Sequence, residues 1–196
     1  MPEKQSSTRS GILSAASMLF SIHGYKNTTI EDIITAAGIT KGAFYHYFKS
    51  KEALCQAVIE KLRLDYQQLI DSLDKDAGAM VRLSQMLDRL IELNCSGEWI
   101  NCRLLVYLSH ESHQDQPELE EKIKQFWLWY RTFYEGLLNE CRQSGMVRTD
   151  VDLKIQVDFL LSLIAGAIVL TKTTPGAINL AELVQAALKS FRPDQQ

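Results

Sequence analysis

The sequence predicts an all-α protein: a small three-helix head followed by a larger helical bundle. Three observations carry this. Apolar residues recur at helical spacing in almost every segment. No segment alternates apolar and polar residues with the period of two that a half-buried strand needs. Glycines, prolines and Ser/Thr caps fall between the periodic segments, where helices must stop and restart.

Each helix has a local reason. Ser6 to Ser21 sets Ile12, Ala16, Leu19 and Phe20 on one face, and Gly24 is the expected stop. Thr28-Thr29-Ile30-Glu31 has the S/T-x-x-E form of a capping box and opens a second helix through Ala36, which Gly38 breaks. Thr40 caps a short third helix ending near Phe48. Ser50 caps a long fourth helix with Leu54, Val58, Leu62 and Leu69 on its apolar side, and a break follows at Asp76 to Gly78. Helices are then expected over Ala79–Cys95, Cys102–Ser109, Pro117 to Gly145, Leu153–Leu170 and Ile178–Phe191. Pro117 suits a first helical position, with Glu118, Glu120 and Glu121 complementing the dipole there.

The net charge of −3 is unevenly placed. Residues 1–51 carry six basic and three acidic side chains, so a cationic head sits on an acidic body. That suits a polyanion bound by the head alone. The chain opens on no cationic segment followed by an apolar stretch, and the longest nearly unbroken apolar run, Phe159 to Leu170, is 12 residues, short for a bilayer. A cytoplasmic protein with no membrane partner is expected. Cys55, Cys95, Cys102 and Cys141 form no C-x-x-C pair and are expected as free thiols.

The densest pattern is residues 28–51, TTIEDIITAAGITKGAFYHYFKSK. Two short helices meet at Ala37-Gly38-Ile39, where Gly38 can take the positive φ of a tight turn. Ile33, Ala37, Ile39, Phe44 and Tyr47 stand where helix-turn-helix packing needs apolar groups. On a wheel of 100° per residue, Phe44, Phe48, Tyr47 and Ala43 gather on one side with Thr40. Lys41, Gly42, Tyr45 and His46 gather on the other: a cation, a bare backbone, a phenol and an imidazole. Gly42 costs a helix roughly 1 kcal/mol against Ala, and its missing side chain permits close approach to a phosphate or base edge. Lys51 adds a positive charge beside helix N-terminal amides, a place for a phosphate.

The runs G-Y-x-x-T-T-I-E-D-I and A-G-I-T-K-G-A-F-Y-H-Y-F-K-S-K-E-A-L resemble the DNA-binding signature of the TetR family over roughly residues 10–60. The resemblance implies that the third helix enters the major groove. It implies DNA contacts at Thr40, Lys41, Gly42, Tyr45 and His46, and phosphate contacts at Thr29 and Lys51. Ile34 departs from the family, which usually has Ala there. The implied organisation is a helix-turn-helix DNA-binding domain over 1–52 and an effector-binding and dimerisation domain over 53–196. Two heads on a two-fold axis match a palindromic operator in double-stranded DNA. The implied function is a ligand- or electrophile-responsive repressor, not an enzyme. The competing reading is a small-molecule-binding helical protein whose head makes protein contacts.

In the body, the Leu153–Leu170 helix is the candidate for pairing in a homodimer, through Leu160, Leu163, Ile164, Ala167 and Ile168, with Ala165-Gly166-Ala167 permitting close helix approach; the other reading is the buried central helix of a monomer. Six aromatics crowd nine residues from Phe126 to Tyr134. Of these, Trp127, Tyr130 and Tyr134 share a face, either lining an apolar effector pocket or packing as ordinary core. Asn101-Cys102-Arg103-Leu104 followed by Ser109-His110-Glu111 resembles the NemR-like branch of the family, where the matching cysteine senses electrophiles or oxidants. Arg103 would favour a reactive thiolate; an inert buried thiol is the other reading. His110-Glu111-x-His113 is not the H-E-x-x-H spacing of a zinc helix, so neither metal nor cofactor is expected.

Overall fold

The computed structural model describes the backbone of residues 2–96, 101–111, 115–173 and 178–193, and side chains over 7–93, 103–111, 115–171 and 178–193. Within these residues the chain forms nine helices: α1 Pro2–His23, α2 Ile30–Ala37, α3 Lys41–Tyr47, α4 Lys51–Asp71, α5 Ala79–Ser96, α6 Asn101–His110, α7 Pro117–Gln143, α8 Leu153–Thr173 and α9 Leu180–Ser190. The expected all-α architecture is thus observed, and most boundaries fall within two residues of the sequence expectation.

The chain packs as two compact units. The first holds Met1–Tyr66 with Ile100–Phe126, and the second holds Gln67–Trp99 with Trp127–Gln196. The first unit therefore contains the head, most of α4, α6 and the start of α7. Its core is Ile12, Ala16 and Phe20 of α1, Ile33 of α2, Phe44 of α3, and Leu54, Val58 and Leu62 of α4, all at most 1% exposed. Where α4 meets the start of α7, the Tyr66 and Phe126 rings lie edge to face at 5.6 Å. In the second unit, α9 packs on α5 and α8.

Two sequence expectations need correction. The capping residue of α2 is Thr29, not Thr28. The Thr29 hydroxyl accepts from the Asp32 N–H at 3.1 Å, and the Asp32 carboxylate accepts from the Thr29 N–H at 2.8 Å. Thr28 is 1% exposed, and its hydroxyl donates to the Gly24 carbonyl at 2.7 Å, so it is already spoken for.

The second correction concerns α8. Leu160, Ile164, Ala167 and Ile168 are buried by their own chain and Leu163 is half-buried. The outward face instead carries Ile155, Phe159, Gly166, Val169 and Leu170. The helix is apolar all round, so its periodicity could not say which face turns inward. It is also longer than the expected apolar run: residues 153–171 are long and apolar enough, by length and composition, to cross a membrane, with 33% of that window buried inside the chain.

Candidate nucleic-acid interface

The candidate surface is built by α2, α3 and the turns around them. The Gly38 turn is tight because its φ of 63° is left-handed. In that conformation the Gly38 and Ile39 amides donate back to the Thr35 and Ile34 carbonyls at 3.2 and 3.1 Å. α3 then restarts at Thr40, whose hydroxyl accepts from the Ala43 N–H at 3.2 Å. Such a cap is worth about 1 kcal/mol.

Helix α3 separates its two faces as its wheel predicts, except at Thr40, which the wheel sets with the inward group and which is exposed as the capping residue. Phe44 and Phe48 are buried, and Ala43 and Tyr47 are half-buried. Thr40, Lys41, Gly42, Tyr45 and His46 are all exposed. Burying a Phe is worth roughly 1.5–3 kcal/mol, which fixes the roll of this short helix and turns the other face to solvent. A methyl group at Gly42 would meet only Thr40 Oγ1, at 4.0 Å, so the space over the backbone there is open. Tyr45 is 46% exposed and rests edge-on against Phe44 at 5.3 Å. His46 stacks edge-on with Tyr47 at 4.9 Å.

The surface carries charges that sequence reasoning did not single out. Glu31 Oε1 is 3.3 Å from Lys41 Nζ, and both side chains are about two-thirds exposed. Arg9 of α1 lies over the Phe48 ring at 5.4 Å, at the C-terminal end of α3. No local motif marks either pairing.

Lys51 sits differently from its expected place. Its ammonium donates to the carbonyls of Tyr25 at 2.8 Å and Thr28 at 2.9 Å, and reaches that of Lys26 at 3.5 Å. It is half-buried, and burial pushes its pKa down while the Glu111 carboxylate pushes back. In this structure it braces the turn between α1 and α2. The far side of that turn is held by Glu111, just past the end of α6. Its carboxylate accepts from the Tyr25 N–H at 2.8 Å and the Lys26 N–H at 2.9 Å. The Tyr25 hydroxyl accepts from Gln116 Nε2 at 2.9 Å. Burial raises the Tyr25 phenol to about 12.

The sensing candidates divide. Tyr130 and Tyr134 are buried, with hydroxyls 3.1 Å apart and rings edge to face at 5.0 Å; Trp127 is half-buried. Two surface clefts of the second unit, of about 570 and 840 Å³, are lined by the start of α5, the end of α7 with the turn after it, and the end of α9, not by these three residues. Cys102 belongs to α6, but its side chain, like that of Cys95, lies outside the described residues, as does His113. Cys55 and Cys141 are buried free thiols, and burial raises the pKa of both, that of Cys141 to about 11. No cluster of His, Cys, Asp or Glu among the described residues could hold a metal.

Comparison with known proteins agrees with this geometry. The family model for bacterial regulatory proteins of the TetR family matches residues 12–58, the stretch from α1 into α4. The HTH-type transcriptional repressor DhaR of Mycobacterium sp. strain GP1 is 26% identical over 190 residues, covering 96% of this chain and 94% of its own. A TetR-family transcriptional regulator from Agrobacterium tumefaciens superposes with a TM-score of 0.83 at 15% identity, covering 96% of this chain and 100% of that one. FadR from Bacillus subtilis, solved with stearoyl-CoA, gives a TM-score of 0.76 at 21% identity over 95% and 98% of the two chains. The two superpositions establish the shared fold. The family match over residues 12–58, which the helix-turn-helix signature and its outward polar face support, marks a TetR-type DNA-binding domain, and the chain is a DNA-binding regulator of transcription and not an enzyme.

Proposed function

We propose that the protein acts in the cytoplasm as a homodimeric repressor that grips a palindromic operator and releases it when a small molecule binds. The observation that carries this is the division of α3: phenylalanines inward, and Thr40, Lys41, Gly42, Tyr45 and His46 outward on a helix short enough to enter a major groove. The functional division is a reading head over 1–52 and an effector-binding and dimerising body over 53–196. Thr29 and the N-terminal amides of α2 face a phosphate, and Tyr45, His46 and Lys41 face base edges. Repression follows the name of the relative DhaR.

Dimerisation is assigned to the outward face of α8, where Ile155 is 62% and Phe159 48% exposed, continued by Leu183 of α9. A patch so apolar calls for cover, and a second copy supplies the same patch about a two-fold axis. Effector control requires only that the ligand bind the DNA-free state more tightly, by typically 1–3 kcal/mol. The stearoyl-CoA held by the Bacillus subtilis FadR makes a long-chain acyl-CoA the first compound to titrate. The NemR-like reading rests on the Asn101-Cys102-Arg103-Leu104 and Ser109-His110-Glu111 runs and supplies the second, a thiol-reactive electrophile.

The test is selection of bound duplexes from a random pool, followed by titration of the recovered operator with stearoyl-CoA or an electrophile. A palindromic consensus is expected, with binding that weakens steeply as salt rises. Tyr45→Ala should weaken operator binding at unchanged thermal stability. Release by the electrophile that is equal in wild type and Cys102→Ser removes Cys102 from the mechanism. Absence of any duplex binding at low salt overturns the reading.

A further inference from the structure

We propose that Glu111 is a positioning residue for DNA reading: its carboxylate, anchored past the end of α6, fixes the turn from which α2 and α3 are presented. The inference rests on the DNA-binding reading of α3 and adds to it a residue more than sixty positions from the helix-turn-helix.

Three observations converge on this carboxylate. One oxygen accepts from the Tyr25 N–H at 2.8 Å and the other from the Lys26 N–H at 2.9 Å, so both lone-pair faces are used on successive amides. The same residue, Tyr25, offers its carbonyl to the Lys51 ammonium at 2.8 Å. Its peptide dipoles therefore run from an anion on the N–H side to a cation on the C=O side, an arrangement in which each charge strengthens the other's hydrogen bond. Finally, Gly24 has a φ of 82°, and a methyl group built there would come 2.3 Å from Glu111 Oε1. The turn is shaped to admit that carboxylate.

The contact lies at the edge of the core, not within it. Ile12, Ala16, Phe20, Ile33 and Phe44 bury one another without it. Removing the carboxylate thus leaves the three-helix head folded but frees the turn that sets where α2 begins, five residues on. Phosphate attraction tolerates such freedom. Base reading does not, because side chains must meet base edges in fixed register.

The experiment measures affinity for the selected operator and for a scrambled duplex, in wild type, Glu111→Ala and Glu111→Gln. Alongside it, amide hydrogen exchange is followed at Tyr25 and Lys26. A charge-assisted bond to a backbone amide supports roughly a tenfold effect. Glu111→Ala should lose about tenfold or more on the operator and stay within about twofold on the scrambled duplex, with faster exchange at both amides. Glu111→Gln keeps the side-chain volume and one acceptor, and should fall between, protecting one amide. If Glu111→Ala folds poorly, the isosteric variant carries the test. Unchanged selectivity in both variants, or losses on both duplexes that track the unfolded fraction, overturns the proposal. A wild type that binds no duplex overturns the DNA reading and this inference with it, a distinct result.

Discussion

Lys51 Nζ stands 4.4 Å from the centre of the Tyr25 ring and 2.8 Å from the carbonyl oxygen of the same residue. A phosphate ligand and a brace make different demands on that ammonium. Here its protons are directed at the carbonyls of the α1–α2 turn, so removing it takes the donor from the Thr28 carbonyl and leaves that of Tyr25 with the longer bond from the Thr28 N–H, at 3.4 Å. Lys51→Met is expected to cost about 1.5–3 kcal/mol of stability, as hydrogen bonds to charged groups do, and to lower operator affinity with the slope of binding against salt unchanged. Thermal unfolding and a salt titration check this. Unaltered stability with a slope smaller by about one would instead mark a pure phosphate contact.

The Tyr25 phenol gives the same junction a pH signature. Burial is the main cause of its rise to about 12, partly offset by the hydrogen bond from Gln116. A folded pKa above the unfolded value of 10.0 means the neutral phenol favours the fold. That contribution is complete below about pH 10 and is lost as pH climbs toward 12, with a ceiling of about 3 kcal/mol. Across this window the melting temperature of wild type should fall faster with rising pH than that of Tyr25→Phe, because the phenylalanine variant has no proton to lose. Parallel curves would show that the phenol does not titrate there.

Glu31 places a carboxylate beside the cation expected to meet DNA. The pair is exposed and screened by solvent, so it adds little to the fold, and Glu31→Gln should melt like wild type. Near a phosphate backbone the same carboxylate repels, and it occupies Lys41 Nζ at 3.3 Å. Its removal should tighten binding to scrambled duplex at low salt and steepen the salt slope by about one. Fluorescence anisotropy over a range of salt reads both. Weaker binding in the variant would show that Glu31 itself makes a favourable contact with a base.

What the sequence could reveal follows from the range of each interaction. The two faces of α3 depend on seven residues at helical spacing, so Phe44 and Phe48 inward, and Lys41, Gly42, Tyr45 and His46 outward, were legible. The Gly38 turn was legible for the same reason. The choice between Thr28 and Thr29 as cap was not, because it turns on the Thr28 hydroxyl bonding to Gly24 across a turn. Glu111 stood out only within the Ser109-His110-Glu111 run and an unconvincing metal motif, neither of which points to the α1–α2 turn. Its partners, Tyr25 and Lys26, are 86 and 85 residues away, and no local pattern encodes such a contact. Lys51 was legible as a charge beside helix N-terminal amides, but its carbonyl partners, Tyr25 and Thr28, lie 26 and 23 residues away.

The inward face of α8 was likewise illegible, and this yields the sharpest test of assembly. Phe159 is 48% exposed while its neighbour Leu160 is fully buried. Phe159→Glu puts a charge on the proposed two-fold contact, where it would face its own copy as well as apolar surface. It is expected to give a helical monomer by sedimentation, with affinity for the palindromic operator reduced because two linked heads become two independent ones. Leu160→Glu buries the same charge inside the protomer and should fail to fold, since an unpaired buried carboxylate costs several kcal/mol. The two neighbours therefore separate assembly from folding. A dimeric Phe159→Glu protein would move the interface off this face of α8.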